Sequence, residues 1–252
     1  MPPISVLIKP SSGMCNMKCD YCFYCDEMKK RMRESYGFMT EQTLKNVIRK
    51  TMFHAEGMIS YAYQGGEPTL RGIAFYEKAM EYQRHYNKCG IRVNNAMQTN
   101  GYLIDDEWCK FFRENHFLIG LSVDGTKQIH DLYRHGRRGE PTFDRIKKAA
   151  ELMDQYGVDY NILTVVTQKT AGHAAEIYNY YKEQGWKYQQ YIACLDPLGE
   201  DRGKTPYALN PEQYGMFLTE LFNLWYEDWK KGEQPYICLL YTSDAADDLI
   251  GV

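Results

Sequence analysis

The chain has 252 residues and a net charge of −3, from 30 Lys and Arg against 33 Asp and Glu. That balance leaves no basic footprint for nucleic acid, and no apolar run reaches membrane-spanning length. Hydrophobic residues at 44% supply a full core, so the 8 cysteines are not needed as disulfide staples. The opening residues carry no charged and apolar signal pattern, and a reducing cytoplasm is the expected compartment.

Strand-like and helix-like segments alternate along the chain. Residues 5–8 read as a strand feeding a cysteine-rich loop. Thr40 is placed to cap a helix through His54, with Leu44, Val47, Ile48 and Met52 at helical spacing. A strand over 58–64 ends on Gly65-Gly66, and a helix is expected over 73–88. The strand 93–99 is followed by a helix over 105–115, with Trp108 and Phe112 facing inward, and by a fourth strand over 117–123. A helix over 142–156 is stopped by Gly157, and the fifth strand, 158–166, is rich in β-branched residues. A helix over 173–184 stops at Gly185, and residues 187–194 give a sixth strand. Asn210-Pro211-Glu212-Gln213 then opens a helix toward Lys231, with Asn as cap, Pro first and Gln three residues past the cap. Six β/α units in order imply a parallel sheet, because each crossover needs its own helix. The pattern alone allows a doubly wound sheet or a curled barrel.

Four cysteines fall within eleven residues, at Cys15, Cys19, Cys22 and Cys25. The first three have the spacing C-x3-C-x2-C, and thiolates this close on a loop can wrap one iron–sulfur cluster. Three ligands to a four-iron cubane leave one iron open to a substrate. Read instead from Cys19, the loop gives the C-x2-C-x2-C of a ferredoxin, although Met28-Lys29 stand where that run needs its closing Cys-Pro. A zinc knuckle would need a second pair nearby, and the next cysteine is Cys89.

Other features have plain readings by themselves. Gly65-Gly66-Glu67 can be an ordinary strand-to-helix turn, Ser122 and Arg134 can be capping or surface residues, and Leu195 reads as core. Cys89, Cys109 and Cys194 read as small buried apolar residues, and His54, His85 and His173 as helix-face residues. Lys29-Lys30-Arg31 and Arg137-Arg138 read as solvated surface. The 22 tyrosines suit amphipathic packing, or a groove for an extended peptide.

Several stretches together resemble the radical SAM enzymes, and within them the anaerobic sulfatase-maturating enzymes, from Pro2-Pro3-Ile4 to about Trp229. They are Ile8-Lys9-Pro10, the cysteine loop with Tyr21-Cys22-Phe23-Tyr24, Gln64-Gly65-Gly66-Glu67-Pro68-Thr69 and Gln98-Thr99-Asn100-Gly101. Further on come Gly120-Leu121-Ser122-Val123-Asp124-Gly125, Ile129-His130 with Arg134, and Cys194-Leu195-Asp196-Pro197-Leu198. The resemblance implies an α/β fold, a partial (β/α)6 barrel of parallel strands with outer helices. Five of the motifs follow expected strand ends, where such folds build their sites.

The resemblance also implies roles. Cys15, Cys19 and Cys22 would hold a [4Fe-4S] cluster, with Cys25 outside the ligand set. The open iron would chelate S-adenosyl-L-methionine, which the reduced cluster cleaves to a 5′-deoxyadenosyl radical. Tyr21 and Leu195 would lie against adenine, Gly66 near the methionine amino group, Ser122 on the cofactor, and Arg134 on its carboxylate. The full enzymes oxidise a cysteine or serine of an unfolded or peptide-like sulfatase to Cα-formylglycine, taking electrons from a donor such as a ferredoxin or flavodoxin. The cofactor half would look the same in a radical SAM enzyme modifying another peptide, and a single ordinary cluster would also suit an iron–sulfur electron-transfer protein; dependence on S-adenosyl-L-methionine separates the two. No nucleic acid or membrane partner is implied.

The family continues into a cysteine-rich domain with two auxiliary [4Fe-4S] clusters and the catalytic base, which leaves the catalytic residue of this chain unknown. Residues 1–209 are expected to form the radical SAM core, and 210–237 a helix leading toward that further domain. Residues 238–247 read as a translation of a transposase sequencing adapter, so 238–252 are expected to be foreign and the natural sequence to stop near Ile237.

Overall fold

The computed structural model describes residues 3–241. Seven strands stand in chain order in one sheet: β1 (Ile4–Ile8), β2 (Met58–Tyr63), β3 (Arg92–Thr99), β4 (Phe117–Ser122), β5 (Asp159–Val166), β6 (Tyr188–Ala193) and β7 (Tyr236–Ile237). Pairing is parallel from β1 to β4 and from β5 to β7. The chain divides into two compact units. The first is Met1–Met17, Tyr24–Leu121 and Arg145–Tyr160; the second is Lys18–Phe23, Ser122–Asp144 and Asn161–Val252. No helix among the described residues is long and apolar enough to cross a membrane.

In the first unit, Ile8, Tyr63, Met97 and Ile119 stand in register across four strands, and all four are buried. Side chains in register on a parallel sheet share one face, so the row makes an apolar floor. Helices α2 (Glu41–His54), α3 (Ile73–Tyr86), α4 (Asp106–Glu114) and α6 (Phe143–Tyr156) belong to this part of the sequence. Thr40 caps α2 by accepting from Thr43 N, and Asp105 caps α4 by accepting from Trp108 N at 3.0 Å. Trp108 and Phe112 are buried as their spacing predicts. Tyr63 meets Tyr76 edge-on at 5.1 Å and stacks on Phe117 at 6.0 Å. Each such aromatic pair adds about 0.5–1.5 kcal/mol beyond its buried area.

In the second unit, Thr164 lies opposite Tyr191 and Gln189 opposite Ile237. After the short α7 (Gln168–Ala171), Tyr181 of α8 (Ala174–Glu183) sends its hydroxyl to Val123 O at 2.9 Å and accepts Gly125 N at 2.7 Å, tying helix to strand end. Helix α9 (Pro211–Trp229) starts with the full capping box of Asn210 and Gln213. It buries Phe217 and Leu221, and Asp228 accepts from Tyr178 Oη at 2.7 Å and from Lys182.

The departures from expectation have local causes. Strand β7 adds a seventh strand to the six expected, and two residues are too few to show a period of two. Helix α1 (Phe23–Lys30) buries no residue, so it carries no apolar stripe to read. Helix α5 (Lys127–Tyr133) is a short helix within a stretch read only as a motif. Helix α3 stops at Tyr86 rather than 88 because the Asn87 side chain brackets Ile91, donating to its carbonyl at 2.8 Å and accepting its N–H at 2.9 Å. Cys109 is buried as expected, but Cys89 is exposed and Cys194 half-buried, so the apolar reading fails for these two. Five tyrosines, at 61, 63, 76, 178 and 181, are fully buried and serve as packing. Of the stretch assigned to an adapter, residues 238–241 form a last short helix, with the Tyr241 ring stacked on Tyr236 at 4.5 Å, and the rest lies outside the described residues.

Candidate functional site

Cys15 belongs to the first unit, and Cys19 and Cys22 to the second; each part is built by its own partners. Beside Cys15, Met17 N donates to the sulfur at 3.3 Å and Asn100 Nδ2 at 3.5 Å. Asn100 Nδ2 also reaches Asn16 Oδ1 at 2.8 Å. Donors aimed at a sulfur favour the thiolate that iron requires.

The loop carrying Cys15 is seated on Gly66. That residue has φ +54°, and a Cβ there would collide with the Met14 carbonyl oxygen. The same carbonyl accepts Glu67 N at 2.8 Å. The glycine therefore serves close approach by the cysteine loop's own backbone.

Glu67, almost wholly buried, joins the second and third motifs. Its carboxylate accepts Thr69 N at 3.0 Å, Thr69 Oγ1 and Thr99 Oγ1 at 2.7 Å each, and Asn100 N at 2.8 Å. Burial pushes the carboxyl above its ordinary value, and the four donors oppose that.

In the second unit the cysteine loop runs beside residues 133–135. Lys18 N donates to His135 O at 2.8 Å and Asp20 N to Tyr133 O at 2.9 Å, while Cys22 N closes a turn on Cys19 O. This brings Tyr21, Cys19 and Arg134 together around Asp124. The Asp124 carboxylate accepts Tyr21 Oη, Arg134 Nε at 2.8 Å and Val165 N at 2.9 Å. Arg134 Nη1 lies 4.0 Å from Cys19 Sγ, and its guanidinium stands 5.5 Å from the centre of the Tyr21 ring. Burial pushes the Tyr21 phenol well above its usual range, keeping it a hydrogen donor. Tyr21, Tyr133 and Tyr207 form an edge-to-face trio at 6.2 to 6.4 Å.

His130 supports this group from behind. It accepts Asp124 N at Nδ1 (3.2 Å), so its proton sits on Nε2, facing Thr142 Oγ1 at 3.2 Å. Thr142 Oγ1 passes the chain on to Arg134 O at 3.1 Å. Burial holds the imidazole at a pKa of about 4, so it stays neutral and keeps that tautomer.

Ser122 is buried at the end of β4. Leu195, read as core from its type alone, is instead 58% exposed just past β6, available for contact through backbone or side chain. Next to it Cys194 N donates to Val166 O at 2.9 Å, and burial pushes its thiol up to about 12. Asp124, Glu67 and His130 stand within the sequence motifs, which assign their side chains no role. Their signal is a charged or titratable residue beside a strand end. Among the described residues no three His, Cys, Asp or Glu side chains are gathered as a metal site. The fit to a cluster rests on the donors around the Cys15 and Cys19 sulfurs, and those suit thiolate ligands.

The profile of the radical SAM superfamily matches residues 10–181. A cysteine-type anaerobic sulfatase-maturating enzyme of Clostridium perfringens is 49% identical over 94% of this chain and 64% of its own length. Another of that type, from Clostridium novyi, is 41% identical over 100% of this chain and 67% of its own. The solved structure of native anSMEcpe with bound AdoMet and Cp18Cys peptide superposes with a TM-score of 0.89 at 48% identity, covering 94% of this chain and 63% of that one. The chain belongs to the radical SAM superfamily and, within it, to the family of the anaerobic sulfatase-maturating enzymes. It spans 64% of the length of the C. perfringens relative.

Proposed function

We propose that this chain is the cofactor-binding part of an enzyme that oxidises a cysteine of a sulfatase to Cα-formylglycine, with residues 1–209 as its radical SAM core. The observation that carries this reading is the 49% identity over 94% of the chain to a cysteine-type enzyme. The cysteine-type C. novyi relative points to the same target. In this reading Cys15, Cys19 and Cys22 hold a [4Fe-4S] cluster, and Tyr21, Gly66, Ser122, Arg134 and Leu195 bind S-adenosylmethionine. When bound, these groups supply hydrogen-atom abstraction from an unactivated carbon.

The chain's own residues bind and orient. Met17 N and Asn100 Nδ2 stabilise the Cys15 thiolate. Glu67 fixes the Asn100 backbone, and Asp124 fixes Tyr21 and Arg134. Neutral His130 keeps the Asp124 backbone N–H in place. The substrate is a peptide-like segment of a sulfatase, and a small ferredoxin or flavodoxin in the cytoplasm provides electrons.

Hydrogen transfer tests the reading. Reconstituted, reduced protein is given S-adenosylmethionine and a sulfatase-derived peptide deuterated at the Cβ of its cysteine. Deuterium should appear in 5′-deoxyadenosine, and less should appear with the serine counterpart. Cofactor cleavage with no transfer from either peptide would assign the chain another peptide substrate.

A further inference from the structure

We infer that Asp124 and Arg134 form a charge pair that sets the reduction potential of the cluster, with Asp124 positioning the guanidinium against the Cys19 sulfur. This rests on the reading of Cys19 as a cluster ligand.

The geometry has three parts. The pair is buried, with side chains 5% and 7% exposed and Nε to Oδ2 at 2.8 Å. Arg134 Nη1 points at Cys19 Sγ, 4.0 Å away. The carboxylate is held from other sides as well, by Val165 N on Oδ1 and by the Tyr21 hydroxyl on Oδ2. The guanidinium therefore has a fixed anchor on one edge and a cluster ligand on another. Arg134 is also fixed through its backbone, since its carbonyl accepts Thr142 Oγ1.

Reduction adds one electron, taken from the external donor, to a centre bonded to that sulfur. A positive charge nearby favours the reduced form and a negative charge opposes it. Away from water, both effects are large. As built, the pair is neutral and presents its cationic end to the sulfur. Hydrogen bonds and net charge around the ligands are the levers by which proteins tune such potentials. A purely structural salt bridge would leave the potential unmoved when both partners were replaced by neutral ones, and it would not give single variants opposite signs.

The test is a redox titration, followed by electron paramagnetic resonance, of the reconstituted protein without S-adenosylmethionine, so that cofactor contacts do not enter. Asp124→Asn leaves the cation unopposed and should raise the potential. Arg134→Gln leaves the anion unopposed and should lower it. The double variant removes both charges, of which the cation is the nearer to the sulfur, and should fall below the parent by less than Arg134→Gln does. Shifts of the same sign in the two single variants, or no shift in either with full iron content, would overturn the inference. If a single variant fails to take up iron, Arg134→Lys and the double variant decide. Arg134→Lys keeps the cation and should titrate near the parent, whereas the double variant should titrate below it; a displaced potential in the first or an unmoved one in the second would overturn the inference. Failure of the underlying reading looks different, because Cys19→Ala would then keep its cluster.

Discussion

Glu67 and Asn100 stand 33 residues apart in sequence, and the carboxylate of the first accepts the backbone N–H of the second at 2.8 Å. Asn100 in turn points its side-chain amide at the Cys15 sulfur. A buried acid thus sets the position of a donor to a cysteine of the loop, although it never touches that cysteine.

Glu67→Ala leaves two N–H groups and two hydroxyls without their acceptor in the core. Since each unsatisfied buried group costs about 1–3 kcal/mol, the loss of stability should be at least about 3 kcal/mol. The urea midpoint measures it, and a midpoint equal to the parent's would refute the role given to this carboxylate.

Gly66→Ala should be worse than Gly57→Ala. Both positions have positive φ, at +54° and +72°, which by itself costs a side chain roughly 1–2 kcal/mol. Only at Gly66 would the added Cβ meet a backbone carbonyl; at Gly57 the space is open. The difference between the two variants should be about 1–3 kcal/mol, as for other overpacked sites. Equal unfolding midpoints would show that the Met14 carbonyl can move aside.

The cysteine assignment predicts about four irons per chain after anaerobic reconstitution, as one cubane requires. Replacing Cys15, Cys19 or Cys22 by Ala should abolish the cluster absorbance, and Cys25→Ala should keep it. Loss with Cys25→Ala and retention with Cys15→Ala would establish the ferredoxin register instead.

His130 predicts an acid-sensitive fold. Its pKa is held at about 4 by burial, against 6.5 in the unfolded chain. Between those values the unfolded chain carries the extra proton, so the contribution is complete above about pH 6.5 and is lost as pH falls toward 4. The depression corresponds to about 3 kcal/mol. His130→Asn, which cannot take up that proton, should flatten the stability curve over this range. Parallel curves for parent and variant between pH 6.5 and 4 would remove His130 as the cause.

What the sequence determined by itself is what short-range physics controls. The caps at Thr40, Asp105 and the Asn210–Gln213 box act within three residues of where they are written. The parallel order of the strands follows from the need for a crossover helix between each pair, and the C-x3-C-x2-C spacing lies within eight residues. Tertiary structure alone decided which charged groups meet. Tyr21 and Asp124 are 103 positions apart and Arg134 and Cys19 115, so no local pattern links them. Glu67 looks like any acid after a glycine pair until burial strips its water and four donors from two motifs replace it. The two residues of β7 pair with β6 only because α9 has carried the chain back to it, and they have no periodicity of their own to announce the strand. Local propensity and covalent spacing are written residue by residue. The partner of a buried charge is chosen by the fold, because only there is water absent and an unpaired charge too costly to leave.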